Sequence, residues 1–275
     1  MSKAYRVKKA LRKLLKIVLI ITAIIILFVI ISLVHHKICS SKEKDLLTPL
    51  GELVEVNGHN MSIYTEGEGN KTLVFLSGGG TCSPILDFKS LYSLLSSEYK
   101  IVVVEKLGYG FSDIVEEKRD IDTILSETRM ALDQAEIQGP YVLCPHSLSG
   151  LEALYWAQKY PDEVEAIVGL DMAVPAYYDE MNISIPMMKL GHYGAVLGIT
   201  RWIPSLAESD AIKYGTLSEK EKEPYKNSLY NEMYIKKSLC MQNMTESELD
   251  KIMYRLLEEY LDNITSTKKV TTNGF

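Results

Sequence analysis

A serine beside a histidine, among small residues and directly after a short apolar run, holds the most chemistry in this chain: Tyr141-Val142-Leu143-Cys144-Pro145-His146-Ser147-Leu148-Ser149-Gly150. A serine hydroxyl becomes a nucleophile only where a base takes its proton and donors steady the oxyanion that forms. Tyr141 to Cys144 has the length and character of a strand buried on both faces. From Leu148 onward, Leu151, Leu154, Trp156, Ala157 and Tyr160 keep mainly helical spacing, and Pro161 stops the helix. Ser147 therefore falls on a strand-to-helix turn. There the Leu148 amide faces charge developing on an attacked carbonyl, and the helix dipole acts in the same sense. Taken alone, these ten residues also suit an ordinary strand-turn-helix with a capping serine.

The elements around that turn weigh against the plainer reading. Thr72 to Leu76 is a second buried-strand run and ends in Ser77-Gly78-Gly79-Gly80. A phosphate cradle is the rival for such a loop, but neither a Gly-Lys-Ser/Thr ending nor Gly-x-Gly-x-x-Gly spacing is present. A helix is expected from about Ile85 to Ser97, then a strand at Ile101 to Val104 that runs into Glu105-Lys106-Leu107-Gly108-Tyr109-Gly110-Phe111-Ser112. Asp120 to Gln138 reads as a helix closed by Gly139-Pro140, and Val164 to Leu170 as a buried strand ending at Asp171. Ahead of all these, Glu52 to Val56 and Met61 to Tyr64 alternate around Asn57-Gly58, the pattern of a hairpin.

This order of strand, glycine loop, helix, strand, helix, strand, serine, helix and strand resembles the α/β-hydrolase family over roughly Gly51 to Pro175. His146, Ser147, Leu148 and Gly150 match the Gly-His-Ser-x-Gly-Gly form of that family's nucleophile elbow, with Pro145 and Ser149 at two glycine positions. Glu105 to Ser112 resembles its Asp-x-x-Gly-x-Gly-x-Ser loop, with Glu105 for the aspartate and a structural role. The resemblance implies an α/β fold: an α/β-hydrolase-type mostly parallel sheet with a helical cap. It also implies Ser147 as nucleophile, the amides of Gly79 and Leu148 as the oxyanion hole, and no cofactor or metal, because acyl transfer by serine needs none. Ser77 stands where the oxyanion loop usually carries histidine.

Helical segments expected around Pro186–Trp202, Ser205–Tyr214, Ser218–Cys240 and Glu246–Asp262 make 176–263 the cap. Met187, Met188, Tyr193, Trp202 and Met241 there are candidates either for a substrate pocket or for packing within the cap. In the family the acid and the base follow the serine. Asp171 is the candidate acid, and His192, the one histidine after the elbow, the candidate base. His35 and His36 belong to the membrane edge, and His59 to the first hairpin. No seventh or eighth strand follows, so 264–275 reads as a tail ending ahead of the family's last two strands. Two readings follow: a hydrolase of an ester, thioester or amide with a small-molecule or peptide acyl substrate, or a hydrolase-derived binding protein with little turnover.

The first 16 residues carry seven Lys and Arg and no acid, and Ile17 to Val34 is uncharged. At ~1.5 Å per residue an 18-residue helix crosses roughly 27 Å, enough for a bilayer core. One transmembrane helix over 17–34 is therefore expected, then a linker over 35–50 and the hydrolase core over 51–175. The basic tail, 1–16, would be cytoplasmic and the hydrolase domain extracytoplasmic, a single-pass protein of the cell membrane whose bilayer partner is 17–34. A cleaved secretory signal is the alternative, though the apolar run exceeds the usual ~7–15 residues. Without the tail, 23 basic residues face 36 acidic ones, so nucleic acid is excluded as a partner. The four cysteines are widely spaced and show neither a metal pattern nor a disulfide framework.

Overall fold

The computed structural model describes residues 3–43, 48–79, 81–115, 119–174, 185–203 and 209–230. Helix α1 (Lys3–Glu43) is followed by strands β1 (Glu52–Val56), β2 (His59–Glu66) and β3 (Thr72–Leu76). Next come helices α2 (Pro84–Asp87) and α3 (Lys89–Leu95), strand β4 (Lys100–Glu105), α4 (Ile121–Gln134), β5 (Tyr141–Pro145), α5 (Ser149–Lys159) and β6 (Val164–Ile167). The later helices are α6 (Ile185–Val196), α7 (Asp210–Lys213) and α8 (Glu219–Tyr230), with a 3₁₀ turn at Ile199–Trp202.

The six strands form one sheet in the order β1-β2-β4-β3-β5-β6. β1–β2 and β2–β4 are antiparallel, and β3–β4, β3–β5 and β5–β6 are parallel. The antiparallel start follows from the Asn57-Gly58 turn, where φ is 53° and 81°, the two left-handed residues a tight hairpin requires. In the centre, β3 and β4 are almost wholly buried because both faces are covered. On one face Val74, Leu76, Val102, Val104 and Leu143 pack with Leu125, Leu132 and Trp156 of the helices. On the other, Phe75, Val103 and Cys144 pack with Ile85, Phe88 and Tyr92.

Three expectations are adjusted. β6 is shorter than the expected Val164–Leu170, and it is half-exposed rather than buried, since among the described residues it is the last strand of the sheet. The helix expected over Asp120–Gln138 stops at Gln134, where Glu136 takes a left-handed φ of 55° and turns the chain into β5. The helix expected over Ile85–Ser97 is two short helices broken at Phe88.

α1 contains all of 17–34 and continues to Glu43, so part of the expected linker is helical. Among the described residues it is the one helix long and apolar enough to cross a membrane, which suits an anchor or a signal sequence. The expected helix at Glu246–Asp262, Met241 and the tail 264–275 lie outside the described residues, as does much of the expected cap.

Candidate active site

β5 delivers Ser147 and α5 starts two residues later, so the chain reverses within a very short turn. It does so by placing Ser147 at φ 51°, in the left-handed region that a residue with a Cβ rarely enters. Such strain costs about 1–3 kcal/mol and persists only where the surroundings dictate it. They do so here through the main chain. The N–H of His146 donates to Leu76 O at 2.9 Å, Gly150 N–H donates to Ser147 O at 3.0 Å, and Ala173 N–H donates to the same oxygen at 2.8 Å.

Ser149 supplies what a second glycine would not. Its buried hydroxyl lies 2.7 Å from Leu76 O, 2.8 Å from His146 O and 2.9 Å from His146 N, so it ties the turn to β3 as well as to itself. Gly150 is the position that must stay small: a Cβ there would overlap Ala173 O and touch the Met172 side chain. The departure from the usual elbow pattern at Ser149 is thus a substitution with its own bonds.

The sequence marked Gly79 in the glycine loop; the structure adds Gly78. A Cβ on Gly78 would stand 2.7 Å from both His146 O and Ser147 Cβ and 3.1 Å from Leu148 N. Only a bare backbone lets β3's end approach the elbow that closely. Gly79 is the next, exposed residue. Among the described residues, neither the N–H of Leu148 nor that of Gly79 has an acceptor, so both remain able to donate. Among the described residues the hydroxyl of Ser77, in the histidine's place, is buried without a partner.

Asp171 stands beside the elbow in register. His146 pairs with Leu170 in parallel, Leu170 N–H donates to Pro145 O at 2.8 Å, and Asp171 then takes φ 50°, nearly that of Ser147. Two neighbouring strand ends thus turn in the same way, one presenting Ser147 and the other an exposed Asp171. His192 lies on α6, and its side chain is outside the described residues. His146 places its ring edge-on to Phe88, 6.0 Å between centroids, with Nδ1 buried and, among the described residues, unpartnered. Cys144, one strand position before Pro145, is no rival nucleophile: burial pushes its thiol up to about 12.

Beneath the turn, buried ionic groups hold the loops that carry it. The Glu105 carboxylate accepts from Phe111 N–H at 2.7 Å and lies 3.4 Å from Ser83 Oγ and Ile85 N. A Cβ on Gly110, whose φ is 49°, would enter that carboxylate, which accounts for the glycine. This is the structural role expected of the loop. Lys106 forms a buried ion pair of 2.5 Å with Glu152 of α5, and Thr128 Oγ1 donates to Glu152 at 3.2 Å. Nothing in the sequence identified Lys106 and Glu152 as partners 46 residues apart.

Comparison with known proteins agrees with this geometry. A family model described as "alpha/beta hydrolase fold" matches residues 71–189. The uncharacterized protein YbdG of Bacillus subtilis (strain 168) is 42% identical over 223 residues, covering 79% of this chain and 69% of its own. Among solved structures, DBJA superposes with TM-score 0.54 at 14% identity over 75% of each chain. A probable hydrolytic enzyme from Pseudomonas aeruginosa PAO1 superposes with TM-score 0.50 at 15% identity, covering 72% of this chain and 65% of its own. At those identities the structural likeness speaks for the fold alone. A sheet order of β1-β2-β4-β3-β5-β6, a serine at left-handed φ between β5 and α5, and the matches in sequence have one reading: the chain belongs to the α/β hydrolase fold family.

Proposed function

We propose that this is a membrane-anchored serine hydrolase that cleaves an ester, thioester or amide through an acyl-enzyme. Ser147 attacks the substrate carbonyl, and the oxyanion is received by the amides of Leu148, at the start of α5, and of Gly79, in the loop after β3. Asp171 is the acid that orients the base, and the base is a histidine following the elbow, with His192 the candidate. α1 is the anchor, crossing the bilayer over 17–34 with the basic 1–16 in the cytoplasm. The substrate is a small-molecule or peptide acyl compound. Residues of 176–263 roof the site as a cap.

The observation that carries this reading is the backbone of Ser147. A serine serving only as a helix cap would sit in the extended region, as Asp120 does before α4 at φ −83° and ψ 177°. Ser147 instead takes φ 51° with Gly78 pressed against it, which is what presenting a hydroxyl above a sheet requires. One observation favours the alternative, a hydrolase-like binding protein: among the described residues no histidine ring hydrogen-bonds to the Ser147 hydroxyl.

A fluorophosphonate probe on the full chain separates the two. Labelling that is lost in Ser147→Ala supports an activated serine. Absence of labelling in a folded sample of the unmutated chain favours the binding role.

A further inference from the structure

α1 is exposed along most of its length, but not on one face of its second half. Phe28, Ser32, His36, Ser40 and Glu43 recur at intervals of three or four and so share a side of the helix. Segment 197–202, after α6, covers that side. Ser32 Oγ donates to Leu197 O at 2.8 Å, and Trp202 Nε1 donates to Ser32 Oγ at 3.1 Å. The Trp202 ring packs on Phe28 at 5.7 Å and on His35 at 5.4 Å. Gly198, at φ 72°, lies so close to His36 and Ser32 O that a side chain there would collide with both. Arg201 completes the contact: Nε donates to His36 Nδ1 at 2.8 Å, and the guanidinium donates to Glu43 at 2.6 and 2.8 Å and to Ser40 at 3.3 Å.

This contact fixes the depth of the segment. If the bilayer core spans 17–34, Phe28 lies about 9 Å inside its outer edge, at ~1.5 Å per residue. Trp202, packed between Phe28 inside that edge and His35 just beyond it, then lies at the edge with its ring reaching inward, while Arg201, bonded at His36 to Glu43, is outside it at headgroup level. An indole facing the chains with a guanidinium at the headgroups is the arrangement that a membrane boundary favours. The rest of 185–203 has the composition for such a place. Lys189 and Arg201 are its only Lys, Arg, Asp or Glu, and Leu190, Trp202 and Ile203 are 67, 48 and 43% exposed. A run of apolar side chains left outside a fold calls for an apolar partner.

We propose that segment 185–203 is seated in the outer boundary of the bilayer crossed by α1, with lipid as the partner of its exposed apolar side chains. The seat rests on the anchor reading and adds to it: the protein meets the membrane through two elements from opposite parts of the chain, locked by Arg201 and Ser32. A helix lying in the interface with apolar residues buried in the acyl boundary binds in proportion to the apolar area it inserts.

The two tryptophans make the test direct. Trp156 is wholly buried against Tyr141 in the hydrolase core, and Trp202 is on the proposed seat. The full chain is reconstituted into phosphatidylcholine vesicles with or without brominated acyl chains, and its attachment is checked by flotation. The expected result is that the chain floats with the vesicles, brominated lipid quenches part of the emission, and Trp202→Phe loses that quenched part. A chain that floats while its emission is unaffected by brominated lipid and acrylamide quenches Trp202 overturns the seat and leaves the anchor standing. A chain that does not float overturns both.

Discussion

The elbow and the contact between α1 and segment 197–202 are built from different materials. At the elbow, main-chain groups of three strand ends and one helix hold Ser147, and side chains intrude only through Ser149. At the α1 contact, nearly every bond is made by a side chain, and the partners are about 160 residues apart. The first kind of site tolerates changes of residue type provided that volume is respected, and the second tolerates changes of backbone but not of chemistry. Damage to the elbow should therefore weaken the whole domain, and damage to the contact should be felt only locally.

The strongest test of that contrast is Glu152→Ala. It leaves Lys106 buried without its partner, and breaking a buried pair costs about 3–5 kcal/mol. A fall of that size in chemical denaturation is expected, with probe labelling of Ser147 reduced in proportion to the unfolded fraction. If Glu152→Ala leaves stability unchanged, α5 is not held from below as described. Gly150→Ala should follow, since a Cβ against Ala173 O overpacks the elbow by about 1–3 kcal/mol. Here labelling should fall more than stability does, because the displaced group lies next to Ser147 itself.

Ser149 sharpens the comparison, being the one elbow residue that acts through its side chain. Ser149→Ala removes a buried hydroxyl that satisfies Leu76 O or His146 O, an expected loss of about 1–2 kcal/mol in thermal or urea unfolding. Arg201→Ala is the counterpart at the other region. Unfolding of the sheet domain should be unchanged, while hydrogen exchange across 197–203 speeds up as Glu43 and His36 lose their donor. Equal effects of the two substitutions on global unfolding would erase the distinction between the regions.

The same distinction sets what could be read from the amino-acid sequence. Strand positions, the Asn57-Gly58 hairpin, the glycine-bearing loops and the turn at Ser147 follow from local patterns, because each is dictated by periodicity or by a backbone conformation that few residues adopt. The register that puts Asp171 beside Ser147 was half legible, since parallel β5 and β6 end together but nothing local says by how much. Three features were not legible. Ser149 reads as a small residue, and its hydroxyl finds its acceptor only when β3 lies alongside. Lys106 and Glu152 read as ordinary charges, whereas burial turns them into a pair. Trp202 was a candidate for a pocket or for packing within the cap. Its partners proved to be Phe28, Ser32 and His35 of the first helix, a contact that no pattern within 185–203 records.

The smallest expected effect also comes from the elbow side, through Glu163 between α5 and β6. Its carboxylate lies 2.5 and 2.8 Å from the Arg129 guanidinium and 2.8 Å from the Trp156 indole N–H, so it ties α5 to α4. Hydrogen bonds from Arg129 are the main cause that holds its pKa below the ordinary carboxylate range, opposed by partial burial and helped by Trp156. The folded state therefore prefers the ionised form more than the unfolded chain does. The resulting stabilisation is fully present above the unfolded value of about 4.3 and is lost as pH falls through the lower folded value. About a third of the side chain is exposed, so solvent screening keeps the contribution to roughly 1 kcal/mol or less. The stability gap between the unmutated chain and Glu163→Gln should be constant from pH 6 to 8 and narrow below about pH 4. A gap that widens as pH falls would mean that the carboxyl is bound in its neutral form, and that Arg129 does not hold α5 to α4 in the way the geometry indicates.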